Sequence, residues 1–181
     1  MVKIAICGKM CSGKTTLCSA IIAKYPSYRR MSFAGKLYSI CHDLFGMSTN
    51  PMHKDRRLLQ DVGTAMKTIR NSVWIDYLMR SINTIDADGS SSVDVIVDDG
   101  RFKDELVAMK NDGFILIRLR VDESVQIRRL MMLYPLDYLD QWGRRFHPSE
   151  TDLDDVPDSY FDYVFDSGVD SVESIVSRIG L

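Results

Sequence analysis

Residues 8–15, GKMCSGKT, follow a short apolar, β-branched run, VKIAIC at 2–7, and precede a stretch in which Leu17, Ala20, Ile21 and Lys24 recur at helical spacing. The segment matches G-x-x-x-x-G-K-[ST], a pattern with narrow structural demands: a buried strand ends at the first glycine and a helix begins at the lysine. Gly8 and Gly13 let the backbone curl so that its N–H groups face one concavity. The positive end of the helix opening at Lys14 adds to that field. Such a nest takes phosphate. Lys14 reaches the β- and γ-phosphates of a nucleoside triphosphate, and the Thr15 hydroxyl ligates Mg²⁺. The phosphate-binding set read here is Gly8, Cys11, Ser12, Gly13, Lys14, Thr15 and Thr16.

The rest of the chain repeats the strand-then-helix alternation. Expected strands are 2–7, 29–33, 93–99, 114–121 and 160–165, and expected helices run from Lys14 to about 25 and over 34–45, 103–113, 123–134 and 171–179. Residues 54–85 read as two helices parting near Asn71–Ser72, 86–92 as a surface loop, and 135–158, with three prolines, mostly as an ordered loop. This order predicts an α/β P-loop three-layer sandwich, a parallel five-stranded sheet with helices on both faces. We expect a single domain, 1–181, with a helical acceptor-binding insertion at 34–85 and a lid at about 123–158.

Composition narrows the partners. The chain has 181 residues, a formal charge of −2, 45% apolar and 27% charged residues, so no broad nucleic-acid or membrane footprint is expected. No apolar run approaches the roughly 18 residues that span a bilayer, and the amino terminus enters a strand without a signal-like segment. Cysteines at 7, 11, 18 and 41 fit neither a zinc pattern nor a secreted disulfide framework. The expectation is a reduced, cytoplasmic protein acting alone or as a homodimer.

Ligands of parallel sheets sit at the carboxyl ends of the strands, and three further features fall there. In VIVDDGRF an apolar strand ends in two carboxylates; Asp98 and Asp99 both qualify as the second magnesium-linked group, and alternation lets one face the site. Arg101 holds a substrate phosphate or pairs with Asp104 or Glu105. Arg56, Arg57, Gln60, Thr64 and Arg70 form either an acceptor face or a solvated amphipathic helix, and Trp74 stacks on a base or fills a core. The lid is rich in arginine, and little covalent chemistry is asked of a protein in phosphoryl transfer beyond positioning and charge. Among Arg118, Arg120, Arg128, Arg129, Arg144 and Arg145, the candidates for catalysis beside Lys14 and Arg101 are Arg128 and Arg144. His147 touches phosphate or ties down the lid, and Ser149 and Glu150 cap the next turn.

Taken in order, FAGKL (33–37), RRLLQDVGT (56–64), DDGRFKDE (98–105), HPSETDLDD (147–155) and YFDYVFDSGVDSVESI (160–175) resemble the deoxynucleoside monophosphate kinases of bacteriophages and large DNA viruses. Lys36 and Gly100 depart from the family pattern. The resemblance implies transfer of the ATP γ-phosphate, with Mg²⁺, to a (deoxy)nucleoside monophosphate, in the host cytoplasm for a viral protein. It places the family's Asp-x-Arg on Asp99 and Arg101, so that Thr15 and Asp99 organise the metal. Arg57, Gln60, Thr64, Arg70, Trp74, Arg101, His147 and Glu150 would then bind the acceptor. Another small-molecule P-loop kinase, such as one resembling phosphomevalonate kinase, and a non-catalytic nucleotide sensor are the alternatives.

Overall fold

A computed structural model of the chain describes residues 1–50, 55–87 and 93–181. Residues 51–54 and 88–92, which include the start of the expected 54–85 helices and most of the expected 86–92 loop, lie outside the described residues, as do the side chains of Arg56, Asp86 and Ala87. The chain divides into two compact units, Met1–Arg30 with Ser91–Leu181, and Met31–Ser90.

The first unit carries the sheet. Strands β1 (Lys3–Gly8), β2 (Tyr28–Met31), β3 (Asp94–Gly100), β4 (Ile115–Arg120) and β5 (Tyr163–Asp166) stand in the order β2-β3-β1-β4-β5. The sheet is parallel throughout, and β1 lies at its centre between β3 and β4. Four consecutive buried residues in β1 and in β3 show why alternation is invisible there: both faces are covered. On one face Ile4, Ile6 and Ile96 pack with Leu17, Cys18 and Ile21 of α1 (Lys14–Lys24) and with Ile175, Val176 and Ile179 of α9 (Val172–Ile179). On the other face lie Cys7 and Gly100, and a Cβ added at Gly100 would meet Met109 at 2.9 Å and Cys7 at 3.1 Å. That close approach sets Met109 of α5 (Lys103–Asn111) against the sheet, so a larger residue at 100 would have to push the Met109 side chain aside.

Helix α6 (Glu123–Leu133) opens on Asp122, whose side chain accepts from the Ser124 N–H. The segment 135–158, expected as a loop, holds three short helical pieces: α7 (Tyr138–Gly143), a 3₁₀ turn at Arg144–Phe146 and α8 (Pro148–Thr151). None is long enough to be stable alone. Tertiary anchors supply the difference. Arg118 of β4 donates to the carbonyls of Val156 (2.6 Å) and Leu153 (2.9 Å), with its guanidinium over the Phe161 ring.

The second unit consists of α2 (Gly35–Phe45), α3 (Arg56–Ile69) and α4 (Val73–Ala87). Helix α2 stops at Gly46 in the left-handed conformation, φ 68°. Helix α3 starts at Asp55, whose carboxylate accepts from Leu58 N–H at 2.9 Å. Trp74, 7% exposed, donates its indole N–H to the Gly63 carbonyl and joins α4 to α3. Among the described residues no helix is long and apolar enough to cross a membrane, and Cys7, Cys11, Cys18 and Cys41 form no disulfide.

Candidate nucleotide site

The loop between β1 and α1 is shaped by three residues with positive φ: Gly8 (151°), Cys11 (56°) and Gly13 (90°). At Gly8 the constraint is also steric, because a Cβ would stand 2.5 Å from the Leu119 carbonyl oxygen and 2.7 Å from Ser12 Oγ. Ser12 is fully buried and its hydroxyl has no partner, a polar atom left over inside the loop. Neighbouring residues brace the loop from outside. Gln126 of α6 donates to the Met10 carbonyl at 2.8 Å, and Arg129 donates to the Cys11 carbonyl at 2.9 Å and to Ser167 Oγ at 3.0 Å. Arg129 is thus spent on backbone, whereas Arg128 stands exposed on the same helix.

Lys14 is folded back onto the loop, its ammonium donating to the carbonyls of Gly8 (2.6 Å) and Lys9 (2.7 Å). Burial, and then the guanidinium of Arg101, push its pKa from an ordinary 10.5 down to about 8, while Glu150 acts the other way. An arriving triphosphate favours the charged amine and reverses that shift. Binding at about pH 8.5 is therefore expected to take up a fraction of a proton, and affinity to fall as pH rises through the depressed pKa. Calorimetry in two buffers of different ionisation enthalpy reads the uptake, which should vanish in Lys14→Met.

The carboxylate that meets the loop is Asp98. It is 3% exposed, accepts from the Thr15 hydroxyl at 3.1 Å, and is gripped by both Nε (2.9 Å) and a terminal nitrogen (2.8 Å) of Arg30. Pairing of Ala5 with Val97 and of Cys7 with Gly100 leaves Asp98 and Asp99 together opposite Ile6, a bulge in β3. The bulge re-aims the strand end, and Asp98 keeps the face of Ile96, on which α1 packs. The Thr15 hydroxyl and the Asp98 oxygens are hard donors suited to Mg²⁺, which binds proteins through one or two such groups and takes the rest from phosphates and water. Arg30 escaped the sequence reading. Its only cue is its place near the end of a strand whose position beside β3 no sequence pattern reveals.

Beyond β3, Glu105 accepts from the N–H groups of Arg101 (2.8 Å) and Phe102 (3.1 Å) and fixes the turn. The Arg101 guanidinium pairs with Glu150 of α8, whose other oxygen accepts from the Met10 N–H at 2.6 Å. Residues 7–9, Arg101 just beyond β3, the end of β4, the start of α6 and Glu150 with several of its neighbours between 145 and 154 line a cavity of about 520 Å³. His147 sits at the start of α8, its ring nitrogen accepting from the Ser149 N–H at 3.2 Å. Arg144 pairs with Asp140 one turn earlier at 3.0 Å. In the second unit Arg57 is exposed beside Asp61 (3.8 Å), Gln60 is half-buried, Thr64 is exposed, and Arg70 is held by Asp76 at 2.7 Å. The structure thus brings Gly8, Lys14, Thr15, Arg101 and Glu150 around one loop, with Asp98 rather than Asp99 on the Thr15 hydroxyl.

A family model described as an AAA domain matches residues 4–132, the span from β1 through the phosphate loop to α6. The chain belongs to the AAA domain family. Shikimate kinase from Bacteroides thetaiotaomicron superposes on this AAA-domain chain with a TM-score of 0.55 at 20% identity, covering 98% of this chain and 96% of that one. TT1252 from Thermus thermophilus gives 0.56 at 15% identity, with 98% and 95% covered. Both likenesses extend over 98% of this AAA-domain chain, and the one to shikimate kinase gives it a P-loop kinase-like fold. No curated protein sequence matches it.

Proposed function

We propose that the protein is a phosphotransferase that moves the γ-phosphate of ATP to a small anionic acceptor, with a (deoxy)nucleoside monophosphate as the acceptor and ADP as the first product. One observation carries the reading: the buried Lys14 ammonium, the Thr15–Asp98 pair and the Arg101 guanidinium come from two chain segments, the loop with the start of α1 and the end of β3, and gather at the same loop. That set answers the needs of phosphoryl transfer, which asks for positioning and for cations where charge spreads over the equatorial oxygens. Mg²⁺, held from Thr15 and Asp98, would neutralise the phosphates. Lys14 would follow the transferring group, and Arg101 would hold an acceptor oxygen in line. The acceptor class draws its support from the RRLLQDVGT and DDGRFKDE resemblances, with Arg57, Gln60 and Thr64 as its readers. Trp74 and Arg70, both occupied in joining α3 to α4, support those readers rather than touch the base.

A coupled ADP-release assay across the eight common ribo- and deoxyribonucleoside monophosphates, with shikimate and phosphomevalonate beside them, tests this. Turnover with at least one monophosphate is expected, and Arg57→Ala should raise its KM about tenfold with the ATP KM unchanged. Turnover with shikimate or phosphomevalonate alone would reassign the acceptor. ATP binding without ADP release from any of them would make the chain a nucleotide sensor.

A further inference from the structure

Glu150 occupies an odd position for a carboxylate. It is 8% exposed, yet it lies among groups whose chemistry suits phosphate. One oxygen takes the N–H of Met10, in the middle of the phosphate loop; the other takes the Arg101 guanidinium, whose neighbouring carbonyl contact is Ser149 at 3.4 Å. The residues that follow repeat the theme. Asp154 meets Lys9 at 2.9 Å, Asp152 accepts from the Lys103 N–H at 2.7 Å, and Asp155 meets the Lys103 ammonium at 2.7 Å. The stretch SETDLDD (149–155) is thus an acidic strap. Its carboxylates engage the donor loop on one side and the turn after β3 on the other.

We propose that Glu150 is an internal competitor for phosphate: in the empty protein its carboxylate, held by the Met10 N–H and the Arg101 guanidinium, stands against the phosphate loop, and the incoming triphosphate must expel it. The inference rests on the reading of residues 8–15 as a triphosphate loop. Glu150 and Arg101 both lie close enough to Lys14 to act on its charge, and Lys14 is read as the ligand of the β- and γ-phosphates, so the carboxylate stands where triphosphate charge arrives. Two anions side by side in a buried site also repel strongly. Expulsion leaves the Arg101 guanidinium unpaired and free to meet substrate, so loading of the donor site arms the acceptor side. The strap itself stays tethered, because Arg118 holds the Leu153 and Val156 carbonyls from β4. Release is therefore confined to the residues before that anchor.

A closed state populated at about 90% or more lowers apparent affinity by the open fraction. Glu150→Gln and Glu150→Ala should each bind a non-hydrolysable ATP analogue, and inorganic tripolyphosphate, about tenfold tighter than the parent protein by calorimetry. The gain should appear in the association rate, since only the open fraction is competent. Hydrogen exchange on the unmutated protein gives an independent reading: saturating tripolyphosphate should speed exchange of the amides at 149–152. Unchanged or weaker binding in both variants, or slower exchange at 149–152 on loading, would overturn the competitor and make Glu150 a clamp that closes on the nucleotide. If neither the parent nor the variants bind analogue or tripolyphosphate, the triphosphate reading itself falls, a result distinct from either of those.

Discussion

Lys14→Ala should lower kcat by about 10³-fold or more while leaving a folded protein. The side chain is held to the loop by two backbone carbonyls and is not a member of the apolar core cluster, so the core packing remains in place without it. What it takes away is a cation whose pKa the site has already tuned, down to about 8 through burial and the proximity of Arg101. In the resting loop that ammonium is satisfied by the carbonyls of Gly8 and Lys9. Its contribution is made when phosphate charge grows, so the loss should fall on kcat more than on the KM of either substrate. Steady-state ADP release with each substrate varied, alongside a circular-dichroism melt, checks this. A variant with the parent's kcat would remove Lys14 from the reaction.

Asp98→Asn should be the second most damaging change, lowering activity by about 10²-fold and moving the Mg²⁺ requirement to higher concentration. Three hydrogen bonds converge on this carboxylate, one from Thr15 and two from Arg30. An amide cannot accept all of them, and it leaves the Arg30 charge without its counter-ion. Asp99→Asn should be milder, since the Thr15 hydroxyl does not depend on it. Activity measured against Mg²⁺ concentration for both variants decides the matter. A larger effect at Asp99 would return the metal to the carboxylate that the family resemblance favours.

The position of Asp98 shows how far alternation along a strand can be followed. Ile96 shares a face with Ile4 and Ile6, and counting on by two reaches Asp98. The count has meaning only once that face is known to be the one α1 covers. Asp99 is favoured by motif alignment because the family's Asp-x-Arg falls on Asp99 and Arg101, whereas the bulge opposite Ile6 places both acids at one level of the sheet. The lid illustrates a different limit. Three prolines and a run of aspartates suggest loop, while the structure folds short helices there, held by Arg118 and by the acidic residues that meet Lys9 and Lys103. Pro148 at the first position of α8 and His147 before it are a helix start visible in hindsight, but a four-residue helix carries no periodicity.

Local chemistry was sufficient for some of this. The phosphate loop, the five strands, the α/β class and the helix ending at Gly46 follow from residues close in sequence, because backbone φ, burial and capping act over a few positions. The partners of charged side chains were decided only by tertiary structure. Arg129 is drawn to the Cys11 and Ser167 carbonyls, Arg30 to Asp98, Arg101 to Glu150 forty-nine residues away, and Arg118 to the carbonyls of the lid. An arginine reads the same in sequence whether its guanidinium will hold a phosphate, a carboxylate or the backbone. Which of these it meets depends on strand order, and β2-β3-β1-β4-β5 is set by packing of the whole sheet rather than by any residue's own preference.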